Sequence, residues 1–169
     1  VVFNDQMSKG YLLLTLTRPE RHHAWPHDLE DLYFDALERA AADAEVRVIV
    51  VTGAGRSFCP GMDMEVLAKL SAEGPITRPR APMTLSLQVP KPVIVAVNGA
   101  AAGIGLVHVC AADVRFAASG AKLTTSFARR GLPAEHGIAA LLTRLVGSGA
   151  ALDLLLSGRL VPARGGLGV

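Results

Sequence analysis

Twice in this chain a run of branched apolar residues stops at glycines that lead toward a helix. The first is VIVVTGAGRSFCPGMDM, residues 48–64, and the second is VIVAVNGAAAGIG, residues 93–105. A short unbroken apolar run bounded by glycine reads as a buried strand. The glycines allow a tight exit and a close approach of backbone to a neighbour or a ligand. Strands that alternate with helices in this way restrict the chain to an α/β domain built from strand-strand-helix units.

The remaining pattern agrees. Tyr11 to Thr17 reads as a strand ended by Arg18-Pro19. After Pro26, apolar residues at Leu29, Leu32, Tyr33, Ala36, Leu37 and Ala40 predict an amphipathic helix. Asp28 is its expected N-cap, and Asp28, Glu30, Asp31, Glu38 and Arg39 are expected to face water. Val46 to Thr52 and Val93 to Val97 are the two buried strands. Residues 71–92 carry five prolines (Pro75, Pro79, Pro82, Pro90, Pro92) and predict a loop, with one short helix before it. Asn98-Gly99 is expected to turn the second strand into a small-residue helix, AAAGIGLVHVCAA. Val114 to Ala118 and Lys122 to Thr125 read as short strands. Ile138, Leu141, Leu142 and Leu145 predict a helix that Gly147 ends, and Ala150 to Leu156 another.

A chain of 169 residues suffices for one domain with its own core. Its net charge of +2, from 17 basic and 15 acidic residues, argues against a nucleic-acid surface. No apolar run reaches the roughly 18–20 residues of a membrane span. Cys59 and Cys110 lie far apart without metal-ligand spacing and read as reduced thiols, which predicts a cytoplasmic protein. The start VVFNDQMSKG is not a signal peptide and has no initiator Met, and the end PARGGLGV has no closing element. Both features lead us to expect a piece of a longer polypeptide.

A strand running into Gly53-Ala54-Gly55 resembles a dinucleotide-binding turn. That motif needs a helix to start inside the turn, so that its amides face the pyrophosphate. Here Arg56 to Gly61, with Pro60 among them, intervene before Met62-Asp63-Met64-Glu65 can begin one. The two loops taken together suit another task. Free amides at two helix starts can converge on one anionic oxygen and form an oxyanion hole for an acyl carbonyl. The alternative is a pair of tight turns whose glycines serve packing alone. His22, His23 and His27 cluster, but with only Asp28 beside them no metal site is expected. His108, flanked by Val107 and Val109, reads as a satisfied core histidine. No histidine stands where it would activate Cys59.

The segments RPERHHA (18–24), GAGRSFCPGMD (53–63), PKPVIVAVNGAAAGIG (90–105), AAD (111–113) and RRGLPAEHGIAALLTRLVG (129–147) occur in that order. Together they resemble the crotonase superfamily, the enoyl-CoA hydratase/isomerase family, from about residue 3 to residue 161. The resemblance implies an α/β fold, a crotonase-like spiral of repeated β-β-α units. It implies an acyl-CoA thioester substrate, with coenzyme A entering as part of that substrate and no other cofactor. It also implies a homotrimer or hexamer, while the small net charge and the short apolar runs leave neither nucleic acid nor membrane as an expected partner. Residues 1–169 would form a single domain lacking the family's C-terminal helical region. The oxyanion-hole amides would be those of Met62, after Gly61, and Ile104, between Gly103 and Gly105. Arg21, Ala24, Asp63 and Met64 would meet the coenzyme A end, although Arg21 could equally be a solvated charge. Asp113 matches a structural aspartate that ends a helix.

Hydratases that this chain resembles carry two glutamates that position water. Their places fall here at Val107 and near Phe127, and residues 114–134 contain no Asp or Glu. Glu135 matches the catalytic carboxylate of the family's enoyl-CoA isomerases and of a related dehalogenase. The resemblance therefore implies double-bond isomerisation with Glu135 as base. A hydratase with another water arrangement and a non-catalytic acyl-CoA binder are the alternatives. Glu135 could also be only an acid favoured by a helix N-terminus.

Overall fold

The computed structural model describes residues 3–73 and 81–163. It opens with a hairpin of β1 (Phe3–Ser8) and β2 (Tyr11–Leu16), antiparallel and turned at Lys9-Gly10, followed by α1 (His27–Ala42). The next two units each give two strands and then a helix. The first is β3 (Val48–Gly53), β4 (Ser57–Cys59) and α2 (Met64–Glu73). The second is β5 (Val93–Val97), β6 (Ala100–Ala102) and α3 (Ile104–Ala111). After β7 (Val114–Ala117) and β8 (Lys122–Thr124) come α4 (Ile138–Val146), α5 (Ser148–Ser157) and β9 (Val161–Pro162).

The strands of each unit part company. One sheet has the order β1-β2-β3-β5-β7 and the other β4-β6-β8-β9, so successive units deal one strand to each sheet. The pairings β2–β3, β3–β5, β5–β7, β4–β6 and β6–β8 are all parallel. This is the expected spiral of β-β-α units. Ile49 and Val51 of β3 and Val93, Val95 and Val97 of β5 point into the core, and α3, which packs against β5, is buried at every position.

Four expectations need correction. Ala100–Ala102 is strand β6 rather than the start of a helix, because it pairs with β4 and β8 and Gly103 (φ +51°) breaks the chain before Ile104. Helix α2 runs to Glu73, into the expected proline loop, and Leu85–Gln88 form a 3-10 turn; residues 74–80 lie outside the described residues. Pro26, not Asp28, is the N-cap position of α1, which leaves Asp28 in the first turn, where the helix dipole favours an acid. Finally, the buried arc of α1 includes Glu30 and Phe34, while Leu32 is 43% exposed. At about 100° per residue, Leu32 falls outside the arc centred on Leu29, Tyr33, Leu37 and Ala40.

Candidate active site

The two glycine loops meet across the two sheets, and Asn98 ties them. Its Oδ1 accepts from Gly53 N at 3.1 Å, while its Nδ2 donates to Gly55 O and Ser57 O, each at 2.9 Å. Three glycines allow this contact by lacking a side chain. A Cβ would stand 2.1 Å from Arg56 O at Gly99, 2.4 Å from Ser57 O at Gly53, and 2.1 Å from Cys59 O at Gly105. For these three, packing is the reason for glycine. Gly61 (φ +106°) and Gly103 (φ +51°) differ. They face one another, a Cβ on either lying 3.7–3.8 Å from the other's Cα.

Each facing glycine precedes a free amide. Trp25 N donates to Gly61 O at 2.8 Å and Asp63 N donates to Trp25 O at 3.1 Å, a parallel bridge that brackets Met62. In such a bridge the residue between the two bonds points its own N–H to the other side, away from Trp25. On the second loop the first bond into α3 is Val107 N to Gly103 O at 3.0 Å, so Ile104 N–H is one of the helix's orphan donors. Among the described residues neither Met62 N nor Ile104 N donates to another backbone group. The two loops thus hold two amides that donate to no backbone group, each following one of the two facing glycines.

Beside Met62 lies a pocket of about 290 Å³ lined by Arg21, Ala24, Pro60, Met62, Asp63, Met64, Glu65 and Arg130. This volume is at the small end for ligand sites and suits one portion of an extended ligand. Arg21 is engaged on its rim, 2.7 Å from Glu65 Oε1 and 3.4 Å from Asp63. The hydrogen bond to Glu65 and the charge of Asp63 hold its guanidinium above its ordinary pKa. The Asp63 carboxylate is buried, lies 3.8 Å from Arg18, and accepts from Glu65 N at 3.1 Å at the start of α2. With its amide bonded to Trp25 as well, Asp63 organises the loop. Arg130, on the opposite rim with Nη1 3.1 Å from Met64 Sδ, was not foreseen. Its only sequence signal is the Arg129-Arg130 pair before Gly131.

Other residues fall into supporting places. His23 accepts from Arg18 N through Nδ1 at 3.0 Å, so its Nε2 donates to Ala54 O at 2.8 Å, which pins residues 18–24 to the first loop. Burial pushes its pKa down. Among the described residues no three His, Cys, Asp or Glu side chains are grouped to hold a metal. Burial pushes the Cys59 thiol up to about 12, which keeps it protonated and inert. Asp113 Oδ2 accepts from Val93 N at 2.8 Å, a structural clamp between the end of α3 and β5.

Glu135 stands in the segment between the Ala128–Arg130 3-10 turn and α4, outside the first turn of that helix, whose N-cap is Gly137. Its side chain is 46% exposed, Oε2 lies 3.6 Å from His136 Nε2, and its carbonyl accepts from Ile138 N. It does not line the pocket beside Met62. Val107 and Phe127 are buried in the core. His108 is buried too, but it is not satisfied: neither ring nitrogen has a hydrogen-bond partner.

A family model described as Enoyl-CoA hydratase/isomerase matches residues 6–167. The Mycobacterium leprae protein named "Probable enoyl-CoA hydratase echA12" is 40% identical over 162 residues, 89% of this chain and 55% of its own length. The 1,2-epoxyphenylacetyl-CoA isomerase of Escherichia coli is 34% identical over 94% of this chain and 63% of its own. The crystal structure of the enoyl-CoA hydratase EchA12_1 from Mycobacterium marinum is 42% identical and superposes with a TM-score of 0.80, over 96% of this chain and 73% of that one. The chain spans a little over half the length of the curated relatives it matches.

Proposed function

This chain belongs to the enoyl-CoA hydratase/isomerase family, and from that premise we propose that it isomerises the double bond of an enoyl-CoA thioester. The thioester oxygen sits between the amides of Met62 and Ile104, with Gly61 and Gly103 leaving room for it, while Gly105 lets the second loop pack against Cys59. Arg21, Ala24, Asp63 and Met64 meet the coenzyme A portion at the pocket mouth. Glu135 takes a proton from carbon 2 of a 3-enoyl-CoA, and the C–H electron pair spreads onto the thioester oxygen. The two amides stabilise that enolate. Glu135 then returns the proton to carbon 4, the double bond settles between carbons 2 and 3, and no other reactant is consumed.

The observation that carries isomerisation over hydration is the distribution of carboxylates. Buried apolar Val107 and Phe127 occupy the two places expected of water-activating glutamates, and Glu135 is the acid that remains. Replacing Glu135 by Gln keeps its size and removes the base. Turnover of a 3-enoyl-CoA should fall roughly 10²–10⁴-fold with acyl-CoA affinity nearly unchanged. Parental turnover by E135Q would overturn this reading. The hydratase names of the mycobacterial relatives favour a second reading, addition of water to a 2-enoyl-CoA. Turnover of a 2-enoyl-CoA to the hydroxyacyl product separates the two, and binding without either turnover would leave a non-catalytic acyl-CoA binder.

For assembly we propose a homotrimer, or a hexamer of two trimers, that buries an apolar groove of about 790 Å³ between α3, α4 and edge strand β7. Phe116, Leu145 and Val146 are 59%, 40% and 47% exposed there, and exposed apolar side chains grouped in one groove suit a contact with another subunit. Sedimentation velocity giving a stable monomer that does not bind an apolar dye would refute it.

A further inference from the structure

Among the described residues, the buried side-chain nitrogens without a hydrogen-bond partner all belong to three rings: Trp25 Nε1 and both nitrogens of His27 and of His108. Buried polar groups are nearly always paired, because an unmet donor or acceptor has given up water for nothing. Two of these rings touch. Trp25 and His108 are 1% and 2% exposed, and their centroids lie 4.5 Å apart. Tyr33 closes a wall of the pair, its ring 5.3 Å from Trp25 and 4.9 Å from His108.

Their anchorage links them to the proposed active site. The backbone of Trp25 grips Gly61 and Asp63 on either side of Met62. His108 stands on α3 one turn beyond Ile104, on the same face as that residue. One unmet ring is therefore tied to each of the two loops that present a free amide. The chemistry of the rings restricts what can satisfy them. Indole Nε1 only donates. Burial, and secondarily the charge of His136, pushes His108 down to about 3, so its imidazole is neutral, with one donor and one acceptor nitrogen. A carboxylate or ammonium there would be desolvated without a counter-charge. An uncharged oxygen that accepts from Trp25 and exchanges a hydrogen bond with His108 suits both.

Resting on the acyl-CoA reading above, we propose that the acyl group this chain selects carries an uncharged oxygen, a hydroxyl or a carbonyl, bound by Trp25 Nε1 and His108. The test titrates the protein with matched ligands: saturated acyl-CoAs and their hydroxy and oxo counterparts of equal length, substituted at carbons 3 to 5. Trp25 is the only tryptophan in the chain, so its fluorescence reports the contact directly, with calorimetry alongside. At least one oxygenated ligand should bind about 10–100-fold more tightly than its saturated partner. Trp25→Phe, which keeps a ring and deletes the donor, and His108→Leu should each bring that ratio toward one. A general packing defect would weaken both ligands together and leave the ratio standing. A ratio near one for every pair in the parent, as when ordered water serves both rings, overturns the proposal. So does a ratio that survives in both variants. Failure of the parent to bind any acyl-CoA, or coenzyme A itself, instead brings down the acyl-CoA reading and this proposal with it.

Discussion

The two glycine loops read alike in the sequence and are used differently. The first, from Gly53 to Met64, starts buried and ends at the surface, which makes it the exterior loop of the two: it is gripped from Trp25, pinned by His23, and leads into α2, whose first residue, Met64, is 55% exposed. The second, from Asn98 to Gly105, is inside: it leads into a helix buried at every position. The difference separates two uses of glycine. Where backbone meets backbone in the interior, as at Gly105 and Gly99, glycine is needed for space. Where the chain must turn, as at Gly61, it is needed for conformation. The first kind should be intolerant of any side chain, and the second merely strained by one.

The largest effect tests the interior loop. A methyl at Gly105 would sit 2.1 Å from Cys59 O, and backbone on both sides leaves nothing flexible to yield. Gly105→Ala should cost about 3 kcal/mol or more. In a chain of this size that lowers the melting temperature by roughly 6–12 °C, or prevents folding. Calorimetry decides, and a melting temperature within about 1 °C of the parent would erase the distinction between the loops.

Acid should also act through the interior loop's helix. His108 is held down to about 3 in the folded chain against 6.5 when exposed, chiefly by burial. Between those values the unfolded chain binds the proton and the folded chain does not, so stability falls as pH falls below 6.5. The slope is about 1.4 kcal/mol per pH unit, or about 2 kcal/mol by pH 5. His23, also lowered by burial, adds a slope of the same sign. Urea melts of the parent and of His108→Leu at pH 7 and pH 5 should show the variant losing less. Equal losses would mean that His108 takes up a proton while folded.

The exterior loop should respond more mildly. At Gly61 a methyl would meet Ala102 O at 3.1 Å, a contact a few tenths of an ångström of movement relieves, and the remaining penalty is φ +106°. Gly61→Ala should therefore cost about 1–2 kcal/mol, less than Gly105→Ala, measured on the same scale.

How much of this was legible follows from how local each signal is. β3, β5 and α4 announce themselves because a buried strand or an amphipathic helix writes its own period into the sequence. β4 and β6 do not: three residues carry no period, and Ala100 to Ala102 are strand only because β4 and β8 lie beside them. The glycine pair suggested an oxyanion hole, but only the fold sorts Gly61 and Gly103 from Gly53, Gly99 and Gly105. Asn98 read as a turn residue, while its role is to bind three backbone groups of the other loop. Contacts between distant segments, such as Trp25 with His108 or Arg130 with Met64, leave no mark on either segment alone.

The smallest effect belongs to the mouth of the exterior loop, where charge rather than packing is at stake. Arg21 is the cation that the family resemblance would place at the coenzyme A end, yet Glu65 and Asp63 already neutralise it. An anionic ligand there has to compete with an exposed ion pair, which is weak and screened by salt. Glu65→Gln keeps the length of the side chain, removes the nearer of the two competing charges and leaves Arg21 paired with Asp63 alone. Affinity for coenzyme A should rise, by about fivefold or less, and the gain should shrink as salt is added. Arg21→Gln should weaken binding by a similar factor, while Arg130→Gln acts independently because Arg130 touches Met64 rather than either acid. If Glu65→Gln weakens binding instead, Glu65 is holding Arg21 in its working position, and the pair is then a built part of the mouth.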